Sequence, residues 1–508
     1  ARMKEREQLK TKRAYEIDAD EKRVASFVHS FPFEATKGQK TAIGSILADF
    51  LEPYPMARLL EGDVGSGKTA IAAATAYAVA TSTPIGKNGS KQNFGNLQVA
   101  YMCPTEILAK QHFATFTAFF KDHTIQIGLI TSSGCFKFPS KVDKTKATPI
   151  ARSQFLKWVQ NGEIPIVIGT HALIQKTVQF KHLAYVIVDE QHRFGTAQRY
   201  ALARGKIKTE GGTKIKNDLS APSLRISASN PHLLSMTATP IPRTLALTLY
   251  GDLDLTVLEE MPKGRKAIET EIVSLSGRKK TYEKIRTLLK EGRQAYVICP
   301  RIDEPDPTKA LALQARSVAE EAKKLTYSIF PEYKVEKLHS KMTPKEKEEV
   351  MDRFEKGITH ILVATSVVEV GVNVPNATAI MIEGADRFGL AQLHQLRGRV
   401  MRSTHQPYCF LMVEKASGTE NARLKAILSA KNGFELAEKD LEIRGAGELY
   451  GRKQWGISDV GMDALKNLKL VEAARSEAQK LVEKDPTLKE HQFLSECASK
   501  KAGSLHFE

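Results

Sequence analysis

Short apolar runs punctuate this chain, and longer amphipathic stretches fill the gaps between them. Early runs are "QVAYMCPT" (98–105), "IQIGLIT" (125–131), "IPIVIGTH" (164–171), "YVIVDE" (185–190) and "LLSMTAT" (233–239). Later ones are "QAYVICPRI" (294–302), "ILVATSVV" (361–368) and "TAIMIEGAD" (378–386). Val, Ile and Ala follow one another there with no polar alternation, the pattern of strands covered on both faces. Segments such as "KKTYEKIRTLLKEG" and "PKEKEEVMDRFEKG" read as helices between them. Strand and helix in alternation predict an α/β fold built on parallel sheets.

The alternation breaks at "LEEMPKGRKAIET" (258–270), where Pro, Gly and flanking charges read as a linker between two α/β domains. Polar stretches at 81–96 and 206–230 read as long loops. After about residue 418 the strand-like runs stop, and the remainder reads as helical around a Gly-rich centre, "RGAGELYGRKQWG" (444–456). At the other end, "ARMKEREQLKTKRAYEIDADEKRVASFV" reads as one charged amphipathic helix with no cap before it. The expected division is a linker helix from an upstream domain (1–32), a first domain (33–257), a second domain (258–418) and a helical extension (419–508).

Candidate chemistry begins at "LLEGDVGSGKTAIAAATAYAVA". Gly62 and Gly67 bracket four residues, Lys68 and Thr69 follow, and an Ala-rich helix comes next. Gly62, Gly65, Ser66 and Gly67 let backbone N–H groups wrap phosphates, and the helix N-terminus adds its dipole. Lys68 would meet the β and γ phosphates of ATP, and Thr69 would put its hydroxyl on Mg²⁺. "YVIVDEQHRFG" sets Asp189 and Glu190 at the end of a buried strand, where such sheets bind ligands. One carboxylate can hold Mg²⁺ and the other can polarise the attacking water. Gln191 and His192 follow, placed to sense the γ-phosphate. Gln39, upstream, offers an amide that could read an adenine edge. Thr237 and Thr239 in "SMTATP" could link this site to a neighbouring groove. Arg399 and Arg402, three apart in "HQLRGRVMRS" on what reads as a helix, would serve a solvated face in most proteins. Beside a second α/β domain without a phosphate loop of its own, they fit as arginine fingers closing on the γ-phosphate. Gly371, in "ATSVVEVGVNVPNA", would line the same cleft.

In that order, Gln39, "GDVGSGKT", "PTEILAKQH", "GTHAL", "DEQH", "TAT", "ATSVVEVGVNVP" and "QLRGRVMR" resemble the motifs of superfamily-2 helicases, over about residues 31–402. "VDEQHRFG", "SMTATPIPRTLALTLYGDLDLTVLEEMPKGR" and "RFGLAQLHQLRGRV" narrow the resemblance to the RecG-type branch. "NGFELAEKDLEIRGAGELYGRKQWG" looks like that branch's translocation element. The resemblance implies two tandem RecA-like parallel-sheet domains with a helical C-terminal extension. It also implies ATP-dependent movement on double-stranded DNA and remodelling of branched DNA, with Thr170 of "GTHAL" among the coupling or DNA-contacting residues. Arg444 is expected at the end of the "FELAEKDLEI" helix, coupling nucleotide state to movement. The branch also carries an N-terminal wedge domain, and the reading here is motor plus translocation element without it. Two positions depart from the family pattern. Met401 stands where glycine is expected between the arginines, and Asn373 stands where aspartate is expected. Rival readings are a coupling-factor-like translocase that displaces RNA polymerase, and a DNA-binding module whose ATPase has decayed.

Composition fits this picture. At 508 residues the chain is too long for one core. Its net charge of +17 favours a polyanionic partner. The five cysteines are scattered with no Cys-x-x-Cys pair, which argues against a zinc ribbon or disulfide framework and for free thiols in the cytoplasm. No apolar run is long enough to span a membrane. A monomer is expected.

Overall fold

The eight apolar runs all become strands, and their order along the chain builds two separate sheets. The computed structural model describes residues 6–7, 10–83, 96–175, 177–190, 230–238, 253–260, 266–300, 317–339, 341–365, 374–401, 405–413, 418–448, 468–485 and 488–497. The first sheet contains β1 (Ala57–Gly62), β2 (Gln98–Met102), β3 (Ile127–Ile130), β4 (Cys135–Phe138), β5 (Thr148–Ile150), β6 (Ile166–Gly169), β7 (Leu183–Val188), β8 (His232–Thr237) and β9 (Asp254–Leu258). Its order is β5-β4-β3-β6-β2-β7-β8-β1-β9. The second contains β10 (Glu269–Val273), β11 (Gln294–Cys299), β12 (Val335–Leu338), β13 (Ile361–Thr365), β14 (Ala377–Ile382) and β15 (Tyr408–Met412), in the order β10-β15-β14-β11-β13-β12. All pairings described in the second sheet are parallel. The first departs from parallel only at β4, which runs against β3 and β5. The pattern of apolar runs passes over β4 and β5, which are only four and three residues long, and over β1, β9, β10, β12 and β15.

One helix explains how the first domain is layered. Helix α3 (Lys68–Ala80), after α1 (Glu21–His29) and α2 (Lys37–Asp49), is buried at every position except Thr69. A helix apolar all round needs cover on all sides. Its alanines let it sit close on the sheet, while α1 and α2 close over it. Phe27 of α1 stacks on Tyr77 of α3 with ring centroids 4.2 Å apart. The single long helix expected over 1–28 is therefore not found. The chain runs without helix from 13 to 20, and Asp20 then caps α1 by accepting from the N–H groups of Lys22 and Arg23. Val24 and Phe27 lie in the first domain's main core, so α1 belongs to that domain's packing and is not a free linker. Among the described residues no helix is long and apolar enough to cross a membrane.

The segment before α1 is tied to the sheet by a buried histidine. His232 opens β8. Its Nδ1 accepts from the Met56 N–H at 3.1 Å, and its Nε2 lies 2.7 Å from the Tyr15 carbonyl oxygen. A ring nitrogen that accepts from a backbone N–H carries no proton, so Nε2 is the donor and the ring is neutral. Burial pushes this imidazole down to about 4. Between an unfolded-state value near 6.5 and that folded value, the unfolded chain binds a proton that the folded chain refuses. His232 should thus cost the fold about 3 kcal/mol as pH falls through this window, with little further change below it. Chemical denaturation between pH 7.5 and 4.5 should show a slope that His232→Gln flattens.

Candidate functional site

The loop between β1 and α3 is braced from behind. Gly65 and Gly67 take positive φ values of 82° and 89°, which a residue with a Cβ reaches only with strain. At Gly67 a Cβ would also lie 2.1 Å from Gln39 Nε2. Gln39 has its amide engaged at both ends: Nε2 donates to the Ser66 carbonyl at 2.7 Å, and Oε1 accepts from the Thr36 N–H at 3.0 Å. One N–H and one lone pair of the amide are thus used to fix the loop. Ser66 Oγ is buried with no hydrogen-bond partner among the described residues. A buried hydroxyl left in that state inside a glycine-rich loop suits an anion. Lys68 Nζ donates to the carbonyls of Gly62 at 2.6 Å and Asp63 at 3.0 Å, and half-buried Thr69 follows it in the first turn of α3.

The acidic pair follows β7. The Asp189 N–H donates to the Met102 carbonyl at 2.9 Å, which continues the sheet by one residue. Its carboxylate meets His112 Nε2 at 2.8 Å, and the Glu190 N–H donates back to it at 3.1 Å. Glu190 has φ +50°, a left-handed conformation that costs a non-glycine residue on the order of 1 kcal/mol. The two carboxyls are driven in opposite directions. Burial raises Asp189, but the bond and charge of His112, with Lys68, hold it below the usual carboxylate range. Burial and the neighbouring Asp189 push Glu190 up, against the pull of Lys68, Arg399 and the Ala238 N–H.

Arg399 comes from the second domain. Helix α8 (Leu390–Arg397) stops earlier than expected, and Arg399 sits in a 3₁₀ turn, Gly398–Val400, rather than on the helix. Close approach explains the turn. A Cβ on Gly398 would lie 2.7 Å from Val64 Cβ in the phosphate loop. Met401 has φ −87°, so its backbone does not require the glycine of the family pattern. The two domains are also joined by hydrogen bonds to a buried carboxylate. His394 Nε2 lies 2.5 Å from Asp63 Oδ1, and the Gly433 N–H donates to Asp63 Oδ2 at 2.9 Å. Nearby, helix α4 (Glu106–Phe119) packs Ile107 against the second domain's core and pairs Lys110 with Glu348 at 2.7 Å.

Of the other expected site residues, Thr170 and Thr237 are buried, at the end of β6 and in β8. Gln191, His192, Thr239, Gly371, Asn373 and Arg402 lie outside the described residues. Helix α10 (Gly433–Glu448) does not end before Gly445 as expected. A glycine costs a helix only about 1 kcal/mol relative to alanine, and the helix continues, so Arg444 stands inside it and its side chain lies outside the description. Sequence reasoning missed His112, Asp63 and His394. Each carried one signal: a polar or charged side chain where the local pattern wanted an apolar or small one. His112 shares its helix face with buried Ala109, Phe113 and Phe116.

Two outcomes follow from this geometry. If Asp189 holds Mg²⁺, His112→Ala should weaken nucleotide hydrolysis and the apparent affinity for Mg²⁺ about 10–100-fold, because the partner that orients its carboxylate is lost; titrating Mg²⁺ at fixed nucleotide measures this. Gly398→Ala should slow hydrolysis at least tenfold, while Met401→Gly should stay within about twofold of the parent in the same assay.

A DEAD/DEAH box helicase model matches residues 36–248, a helicase conserved C-terminal domain model matches 280–404, and a model described as ATP-dependent DNA helicase RecG, domain 3, C-terminal, matches 430–495. The ATP-dependent DNA helicase RecG of Aquifex aeolicus is 39% identical over 505 residues, covering 98% of this chain and 57% of that protein. The Bacillus subtilis RecG is 41% identical over 468 residues, covering 92% and 61%. A solved RecG bound to a three-way DNA junction superposes with a TM-score of 0.67 at 34% identity, covering 92% of this chain and 55% of that one. The chain thus spans between half and two thirds of the length of these relatives. With both helicase models and the RecG-specific third model matched in order along it, the chain belongs to the RecG family.

Proposed function

We propose that this chain couples ATP hydrolysis to movement along double-stranded DNA, and that its substrates are branched DNAs such as stalled forks and Holliday junctions met in recombination and repair. The observation that carries the reading is the setting of Glu190. Lys68 from the first domain and Arg399 from the second both act on its carboxyl. A group held by charges from two domains is completed when those domains close.

The two carboxylates divide the work. Asp189, held charged, and the Thr69 hydroxyl would hold Mg²⁺, which when bound supplies positive charge to the phosphates. Glu190, with its raised affinity for a proton, suits the role of base. It orients a water whose oxygen bonds to the γ-phosphorus as the bond to the bridging oxygen breaks, and takes the proton. Lys68 neutralises phosphate charge, and Arg399 stabilises charge that develops in the transition state. Arg402 and Arg444 remain proposed as second finger and coupling residue. DNA as the track is supported by the likeness to RecG, whose solved form is bound to a three-way junction, and by the net charge of +17. The match to a RecG-specific model over 430–495 favours this reading over a polymerase-displacing translocase. The convergence of Lys68, Asp189, Glu190 and Arg399 weighs against a decayed ATPase.

ATP turnover measured without DNA, with linear duplex and with a fork tests the proposal. Both DNAs should stimulate the parent, and the stimulation should fall steeply with salt. Lys68→Ala should lose at least 100-fold, and Glu190→Gln should still bind ATP while hydrolysing it at least 100-fold more slowly. A turnover rate indifferent to DNA would remove the translocase reading, and parent-like turnover by Glu190→Gln would remove its role as base.

A further inference from the structure

Asp63 belongs to the phosphate loop, yet none of its described carboxylate bonds is to Lys68. Its main-chain oxygen accepts from Lys68 Nζ. Its carboxylate accepts from the Val64 N–H at 2.7 Å within the loop, from His394 of α8, and from the N–H of Gly433, the first residue of α10. The side chain is buried, and burial that would raise it is outweighed by the hydrogen bonds it accepts from His394, Gly433 and Val64, which favour the carboxylate.

The path extends beyond His394. Arg397 can only donate, and its guanidinium meets His394 Nδ1 at 3.1 Å, so Nδ1 accepts and Nε2–H is what Asp63 receives. The other arm of Arg397 donates to the carbonyl of Ile427 at 2.7 Å, on helix α9 (Gly418–Ser429). Helices α9 and α10 pack on each other and on α8. The loop is therefore joined to this helix pair twice, directly through Gly433 and indirectly through His394, Arg397 and Ile427.

We propose that Asp63 is a positioning residue that lets the α9–α10 pair follow the shape of the phosphate loop directly, in parallel with the domain closure that brings Arg399 to Glu190. Water does not readily replace either partner of a buried carboxylate, so a shift of the loop either carries α10 with it or leaves a buried charge poorly paired. Nucleotide state thus reaches the helices beyond the motor without passing through the arginine finger. That this link drives DNA movement rests on the function proposed above.

Gly433→Pro removes the amide hydrogen that Asp63 accepts, and proline is tolerated at the first position of a helix. Gly433→Ala keeps the hydrogen and controls for disturbance of the helix start. In the full 508-residue chain, tryptic cleavage after Lys431 is followed with and without AMP-PNP. Displacement of a third strand from triplex DNA is scored per ATP hydrolysed. For the parent and Gly433→Ala, AMP-PNP should change cleavage at least threefold. Gly433→Pro should lose that change, keep KM and kcat for ATP within twofold, and displace at least fivefold less strand per ATP. The inference is overturned if the parent's cleavage ignores AMP-PNP, if Gly433→Pro still responds, if both variants lose the response alike, or if turnover and displacement fall in proportion. Should DNA fail to stimulate the parent while the cleavage pattern holds, the translocase reading falls and the link between loop and helices stands.

Discussion

A carboxylate taken out of water must find donors, and in this chain Asp63 finds them in places hundreds of residues apart in sequence. That requirement organises the cleft. The phosphate loop cannot bury Asp63 unless α8 and the start of α10 are alongside, and Gly398 can come alongside only because it has no side chain to meet Val64. Arg399 is the next residue, so the same close approach that shelters one anion carries a cation toward Glu190. Docking of the two domains and electrostatic tuning of the acidic pair are thus one event seen from two residues.

The parts of the fold written in local pattern were legible. Buried parallel strands need apolar residues on both faces, so eight of them (β2, β3, β6, β7, β8, β11, β13 and β14) announced themselves as unbroken runs, and the ends of β7 and β8 located Asp189, Glu190 and Thr237; β1, β9, β10, β12 and β15 were not among those runs. The antiparallel β4 and its neighbour β5 were not legible, because strands of four and three residues carry too short an apolar signal. Helix ends were also misjudged. α8 stops before Arg399 because of an approach by another domain, and α10 continues through glycines because nothing local forces it to stop.

The site divided along the same line. Residues whose role follows from their own motif, such as Gly67 with its positive φ and Asp189 at its strand end, could be named from sequence. Those whose role is set by a partner far along the chain could not. Gln39 shows both cases: its position near the loop was foreseen, but only the Ser66 carbonyl and the Thr36 cap reveal that it braces the loop. Met401 departs from the family pattern with a backbone angle that any residue adopts, whereas the glycine that the geometry needs is Gly398.

Helix α3 carries a consequence of a different kind. Having almost no solvent face, it has nowhere to place a larger side chain and no water at hand to accept its backbone groups if it frays. Its amides should be among the last in the chain to exchange with deuterium, opening only when the whole first domain does. The segment that begins with Lys68 is therefore the firmest wall of the cleft, held between the sheet and the pair α1 and α2.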